Sequence, residues 1–132
     1  MIGDLTFGLN EQAYKVLKEL SKVKIDSLSG DVNITTSTFY NGREKGFCLT
    51  VTNYNYLKST FCIICYEHRS SDTIIVSSFE RGYNINPVTL TECIEHKEYK
   101  VWDKKLEFKA GTFKKVADAI IGLITVYITH QE

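Results

Sequence analysis

The residues best suited to metal or redox chemistry form the motif Cys62-x-x-Cys65-x-x-His68. Thiolates and imidazoles are the ligands that zinc prefers, and paired cysteines can also carry redox chemistry. Both cysteines, however, lie within the apolar run 61–66, which is typical of a β-strand. Because side chains three residues apart on a strand point to opposite faces, Cys62 and Cys65 cannot converge on one ion. The sequence therefore favours reduced, buried thiols, and it predicts no metal site and no cofactor.

The polar segment 68–72 places His68 beside Ser70, Ser71 and Asp72, the residue types of a nucleophilic triad. A triad is assembled across a fold, however, and a short polar stretch between two apolar runs is typical of a turn. The sequence contains no nucleophile elbow, no phosphate-binding glycine loop and no dinucleotide fingerprint. We therefore predict a protein that is not an enzyme and has no catalytic residues.

Two polar clusters, 67–69 and 79–86, lie at the ends of a β-hairpin predicted over 61–80 and carry the groups that an anionic nucleotide needs. A guanidinium pairs with phosphate, an aromatic ring stacks on a base, and an amide reads the base edge. The single tryptophan lies in the lysine-rich stretch 97–115 and adds a second stacking candidate. The alternative is that these side chains are ordinary solvated loop residues. The predicted ligand-binding residues are His68, Arg69, Phe79, Arg81, Asn84, Asn86 and Trp102.

The two clusters cannot meet within one copy of the chain. Hairpin strands are antiparallel, so 67–69 and 79–86 lie at opposite ends of the hairpin. Arg69 and Arg81 could come together only between two copies, which predicts a homo-oligomer with ligand sites built partly between subunits.

The composition limits the class of partner. The 132 residues are predicted to form one domain, 1–132. The net charge is zero, from 16 basic and 16 acidic residues, which disfavours long nucleic acid but leaves room for a small anionic nucleotide ligand. No apolar run approaches the roughly 20 residues that span a bilayer, and the N-terminus lacks the basic segment of a signal peptide. We therefore expect no membrane association and a cytoplasmic location.

The hydrophobic periodicity predicts an α+β fold, with an antiparallel meander between an N-terminal amphipathic helix and a long C-terminal helix. The strands are expected at 32–39, 47–53, 61–66, 73–76 and 99–108, with a short extended piece at 88–94. The run 61–66 is apolar on both alternating faces, so its strand is predicted to be central and covered on both sides. The C-terminal helix, capped by Thr112, has an apolar face wide enough to require burial, either internally or against another subunit.

The segment CIICYEHRSSDTIIVSSFE, followed by NINPVTL, KVWDKKLEF and the C-terminal helix, resembles small phage proteins of the Thoeris anti-defence type over about residues 30 to 128. That family has a Whirly-like fold and sequesters cyclic ADP-ribose isomers without cleaving them. The resemblance implies a non-catalytic inhibitor of bacterial antiviral defence that acts in the host cytoplasm, with Arg69, Arg81 and Phe79 of suitable type for ligand contacts.

Two other resemblances leave alternative functions open. The predicted arrangement, a sheet packed by a C-terminal helix, is also similar to Whirly-type folds that bind single-stranded DNA and to some toxin-immunity proteins. The alternatives are therefore a protein-binding inhibitor, of the toxin-immunity or anti-CRISPR kind, and a single-stranded nucleic-acid binder.

Overall fold

The computed structural model describes residues 11–21, 32–40, 44–68, 73–89, 91–93 and 104–129. These residues form one antiparallel sheet whose five strands follow one another in sequence order, with helices before and after it. The predicted α+β meander is therefore confirmed. The elements are α1 (Glu11–Ser21), β1 (Val32–Tyr40), β2 (Glu44–Asn53), β3 (Ser59–His68), β4 (Thr73–Gly82), β5 (Lys104–Lys109) and α2 (Phe113–Thr129).

The sheet is covered on both faces, as the pattern of β3 predicts. Successive side chains of a strand alternate between faces, and both sets in β3 are buried. Cys65 belongs to the layer shared with α1 and α2, whereas Cys62 belongs to the opposite layer. The prediction that these two thiols point to opposite faces is confirmed. The second layer consists of Cys48, Cys62, Ile64, Tyr66, Ile75, Phe79, Val88 and Cys93.

Helix α2 lies with its predicted apolar face against the sheet and α1. Gly111, at φ 89°, turns the chain into the helix, and the hydroxyl of Thr112 donates to the carbonyl of Lys109 at 2.7 Å. Near the other end, the Tyr127 ring stacks on Phe61 with centroids 4.7 Å apart. The buried residues are Val116, Ala117, Ile120, Ile124, Tyr127 and Ile128. The face is thus used within the chain, and its predicted role in self-association stays a prediction.

The segment after β4 differs from the prediction. An extended piece was expected at 88–94, but residues 91–93 form a helical turn. Thr89 starts this turn as a capping box, in which the Glu92 N–H donates to the Thr89 hydroxyl at 3.1 Å and the Thr89 N–H donates to Glu92 Oε1 at 3.1 Å. We call residues 83–89 and 91–93 the strap, because they return across the second face of the sheet.

Other predicted elements lie partly outside the described residues. Strand β5 begins at Lys104, and the part of the predicted strand before it, 99–103, is not described. The turn predicted over 68–72 begins later than expected, because His68 still belongs to β3, and 69–72 are not described. A loop predicted from the Asn-Gly signal over 41–46 ends earlier than expected, because β2 already begins at Glu44. In the part of the chain that is described, no helix is both long and apolar enough to cross a membrane.

Gly46 of β2 lies where the backbone of β3 leaves no room for a side chain. A Cβ atom at this position would overlap the carbonyl oxygen of Cys65 and would lie 2.6 Å from the Cα of Tyr66. Both neighbours are backbone atoms of the central strand, so neither can move without disturbing the sheet. Gly46 is therefore required by this close approach of two strands.

We expect Gly46→Ala to lower the free energy of unfolding by about 3 kcal/mol, because the added methyl overpacks the β2–β3 pair. Gly122→Ala is the matched control. Gly122 is exposed on α2 with open space around it, so alanine should stabilise the helix by about 0.5–1 kcal/mol. Urea denaturation of both variants measures the two changes. Equal midpoints for the two variants would contradict the close approach.

Candidate functional site

One end of the sheet, which we call the tip, consists of the β2–β3 turn (54–58) and the first part of the strap (83–87). The register fixes their proximity, because Ser59 pairs with Gly82 and Thr60 with Arg81, so the turn and the loop leave the sheet side by side. The turn closes through Asn53, whose side-chain oxygen accepts the N–H of Asn55 at 3.0 Å.

Thr60 holds the strap loop against the sheet. Its hydroxyl donates to the backbone carbonyl of Asn84 at 3.0 Å and accepts the N–H of the same residue at 2.9 Å. The side-chain oxygen of Asn84 then accepts the N–H of Asn86 at 2.9 Å, which forms a local Asx turn. The loop is thus fixed by hydrogen bonds to Thr60 of β3 and by its own Asx turn.

Arg81 joins the loop to the rest of the strap. Its Nη1 donates to both carboxylate oxygens of Glu92, at 2.8 and 2.7 Å, and its Nη2 donates to the carbonyls of Asn84 and Asn86. The Arg81 side chain is only 8% exposed. A charged-group pair with this geometry is a strong, directional contact. Arg81 therefore acts as a positioning residue for the strap and the tip.

The ion pair changes the titration of the groups beside it. Burial raises the pKa of Glu92, but the hydrogen bonds from Arg81 and Thr89 outweigh this effect and hold the pKa below its ordinary value. Burial raises the pKa of the nearby Cys62 thiol to about 12, although the positive charge of Arg81 opposes this rise. Cys62 is therefore a neutral thiol near pH 7, which does not suit a nucleophile.

The tip presents aromatic, amide and aliphatic side chains to solvent. Tyr54 and Leu57 are 49% and 58% exposed in the turn, and Tyr83 and Ile85 are 39% and 53% exposed in the loop. Asparagine side chains and the amine of Lys58 are exposed in the same two segments. Flat rings, hydrogen-bonding amides and one cation are groups that can contact a ligand by stacking, hydrogen bonding and charge.

Four of the predicted site residues lie at this end of the sheet. Asn84 and Asn86 are exposed in the loop, and Arg81 lies beneath them. Phe79 is 1% exposed in the second layer, cross-strand from Cys62, so in this conformation no ring face is open to a base. The structure thus brings three of the predicted residues together, with Asn84 and Asn86 at the surface and Arg81 just below them.

The other three predicted residues are not placed at the tip. His68 ends β3 at the opposite end of the sheet, and its side chain is not described. Arg69 and Trp102 lie outside the described residues. The predicted meeting of Arg69 with Arg81 between two copies stays a prediction.

Several residues of the tip were missed by sequence reasoning. Tyr54 and Tyr83 carried a visible signal, because a tyrosine within a polar turn has no core to enter and must lie at the surface. The spacing Thr89-x-x-Glu92 is a capping-box signature that predicts a helix start. The pairing of Glu92 with Arg81 had no local signal, since it depends on how the strap folds back.

The chain was compared with protein-family models, with curated proteins and with solved structures, and none of them matches it. The geometry of the tip therefore carries the functional argument. Within the described residues, no group of three or more histidine, cysteine, aspartate or glutamate side chains is arranged to hold a metal ion.

We expect Glu92→Gln to lower the free energy of unfolding by about 1–2 kcal/mol near neutral pH, because it removes the charge from the Arg81 pair. The pKa of Glu92 is lowered by folding, so this stabilisation is complete above the ordinary glutamate pKa and is lost as the pH falls through the lowered value. The wild type and the variant should therefore converge in acid. Urea denaturation at about pH 7 and at successively lower pH values follows this convergence.

Asp118→Asn is the control for this experiment, since it removes an exposed carboxylate from α2 and should change little at about pH 7. A gap between wild type and Glu92→Gln that stays the same in acid would mean that the carboxylate charge does not stabilise the strap.

Proposed function

We propose that this protein is a non-catalytic binding protein that sequesters an anionic nucleotide messenger of the cyclic ADP-ribose class, and that it recognises the messenger at the tip. The observation that carries the proposal is the exposure of Tyr54 and Tyr83 on two loops fixed side by side. The phage anti-defence proteins that the sequence resembles bind this class of ligand. The protein would then act as an inhibitor of bacterial antiviral defence in the cytoplasm of an infected cell.

Each exposed group at the tip matches one part of such a ligand. Tyrosine rings stack on a base, at about 1–3 kcal/mol for each base. The amide of Asn86 can donate to and accept from a base edge or a ribose hydroxyl. Lys58 supplies a cation for a phosphate in the same turn. Arg81 contributes indirectly, because its hydrogen bonds hold the loop that carries Tyr83.

The balanced charge of the chain supports a small ligand over a polymer. A compact diphosphate needs only a few cations, whereas long nucleic acid is bound by an excess of them. The proposal also includes a homo-oligomer, in which Arg69 of a second copy reaches the tip of its neighbour. That contact would supply the guanidinium that Arg81, committed to Glu92, does not offer.

A protein-binding inhibitor is the second candidate, and a different feature of the tip favours it. Leu57 and Ile85 are each more than half exposed beside the two tyrosines, and neither side chain has a role in reading a nucleotide. Rigid loops that present tyrosine with aliphatic and asparagine side chains are typical of protein-recognition surfaces. Under this alternative, the tip would insert into an effector protein.

The test is a thermal-shift panel of cyclic ADP-ribose isomers, cyclic dinucleotides, NAD and ATP. We expect one class to raise the melting temperature, since a ligand at 100 times its Kd stabilises by roughly 2.7 kcal/mol. Tyr83→Ala should weaken this ligand about tenfold or more, and the matched variant Tyr83→Phe should keep most of the affinity because it keeps the stacking ring. Isothermal titration of the three proteins measures the difference.

The bound ligand is then recovered by heat denaturation and identified by mass. Return of the intact messenger supports sequestration, whereas a cleaved product would show an enzyme. No shift with any nucleotide, together with tight binding to an effector protein that Leu57→Ser abolishes, would favour the second candidate. Affinity for single-stranded nucleic acid that falls steeply with salt would favour the polymer binder.

A further inference from the structure

Two buried cysteines from distant parts of the chain meet in the second layer. Cys48 Sγ of β2 lies 3.3 Å from Cys93 Sγ of the strap, and the two residues are 45 positions apart in sequence. Both side chains are at most 1% exposed. Neither thiol belongs to the tip, and the proposed function uses neither.

The part of the strap that precedes Cys93 holds it in this position. Cys93 closes the helical turn through its N–H to the carbonyl of Thr89 at 3.1 Å, next to the Arg81–Glu92 pair. Before the turn, the Val88 N–H donates to the hydroxyl of Thr50 at 2.9 Å. The meeting of the sulfurs therefore follows from several independent contacts.

We propose that Cys48 and Cys93 are a disulfide-forming pair, and that their oxidation fastens the strap covalently to β2. A disulfide has an S–S length of about 2.05 Å, so the two sulfurs need to approach by only about 1.25 Å. This inference concerns the state of the strap and does not depend on which ligand the tip binds.

The reaction is a thiol–disulfide exchange in which a low-molecular-weight disulfide, such as glutathione disulfide, is the oxidant. One protein thiol, as its thiolate, attacks the small disulfide, forms a mixed disulfide and releases one glutathione thiol. The second protein thiol loses its proton and attacks the protein sulfur of the mixed disulfide, which releases the second glutathione. Two electrons pass from the protein to glutathione disulfide, and the two protein thiol protons end on two glutathione molecules.

The other cysteines are less suited to this bond. Cys65 lies on the opposite face of the sheet from both partners. Cys62 shares the layer but is diagonal to Cys48, because Cys62 pairs with Thr50 and Cys48 pairs with Ile64. Diagonal neighbours on adjacent strands lie about 7–8 Å apart, beyond the Cβ separation of about 3.5–4.5 Å that a disulfide allows. The sulfur–sulfur contact at 3.3 Å therefore makes Cys48 and Cys93 the pair that the fold prepares for this bond.

Burial slows access of an oxidant to the native pair, so the test forms the bond during folding. Reduced full-length protein is unfolded in urea and refolded in a buffer of reduced and oxidised glutathione. We expect a product lighter by two hydrogen atoms, with a single cross-linked peptide pair that contains Cys48 and Cys93. We also expect a melting temperature higher by roughly 5–10 °C than that of the reduced protein, reversed by dithiothreitol, because the bond closes a long loop.

Two double variants isolate the pair. Cys62→Ala/Cys65→Ala retains only Cys48 and Cys93 and should form the bond as the wild type does. Cys48→Ala/Cys65→Ala retains Cys62 and Cys93 and should stay reduced or carry only glutathione. If these variants do not fold, the peptide map of the wild type decides alone. A wild-type product with mixed disulfides only, with a different cysteine pair, or with a lower melting temperature than the reduced form would overturn the proposal.

Discussion

Strand β3 carries apolar side chains on both faces, and neither face can be left in water without losing the hydrophobic stabilisation that holds the sheet together. The two faces are covered by different elements. On one side, α1 and α2 pack their apolar faces against the sheet, and these faces become buried in the contact. On the other side, the described part of the strap supplies only Val88 and Cys93 to the layer. So small an apolar contribution cannot fix a segment alone, which is why polar contacts attach the strap to the sheet.

Arg81 is the centre of that polar attachment. It lies on the strap side of β4, and its single planar guanidinium reaches both the helical turn, through Glu92, and the tip loop, through two carbonyls. A lysine has no such fork, so it could not make both contacts with the same geometry. The arrangement couples the strap to the tip through one side chain. A change at Glu92 therefore alters the support of the loop that carries Tyr83, without touching the exposed surface itself.

Local periodicity made most of the fold predictable, because a buried strand and a one-sided helix each impose a repeat that any sequence must show. Phe79 could also have been placed, since the same alternation that buries Ile75 in β4 turns Phe79 to the inside. The residues of the site were harder to predict from the sequence. An arginine near the end of a strand resembles a solvated one until its partner is known, and Glu92 becomes that partner only after the strap reverses direction. The sulfur contact and the close approach at Gly46 depend on register, which periodicity does not fix to the residue.

The two layers also differ in how well their buried polar groups are satisfied. On the helix side, the Tyr127 hydroxyl reaches the Ser59 carbonyl at 3.1 Å, so the end of α2 is both stacked and hydrogen-bonded. On the strap side, the hydroxyl of Thr52 and the Nε of Arg81 are buried without a hydrogen-bond partner. Each such group carries a desolvation penalty that unfolding of the strap would relieve. Opening of the strap would relieve these penalties while the helix layer stayed packed against the sheet. We therefore expect structural change in this protein to begin at the strap, where the thiol pair and the ion pair lie next to the tip.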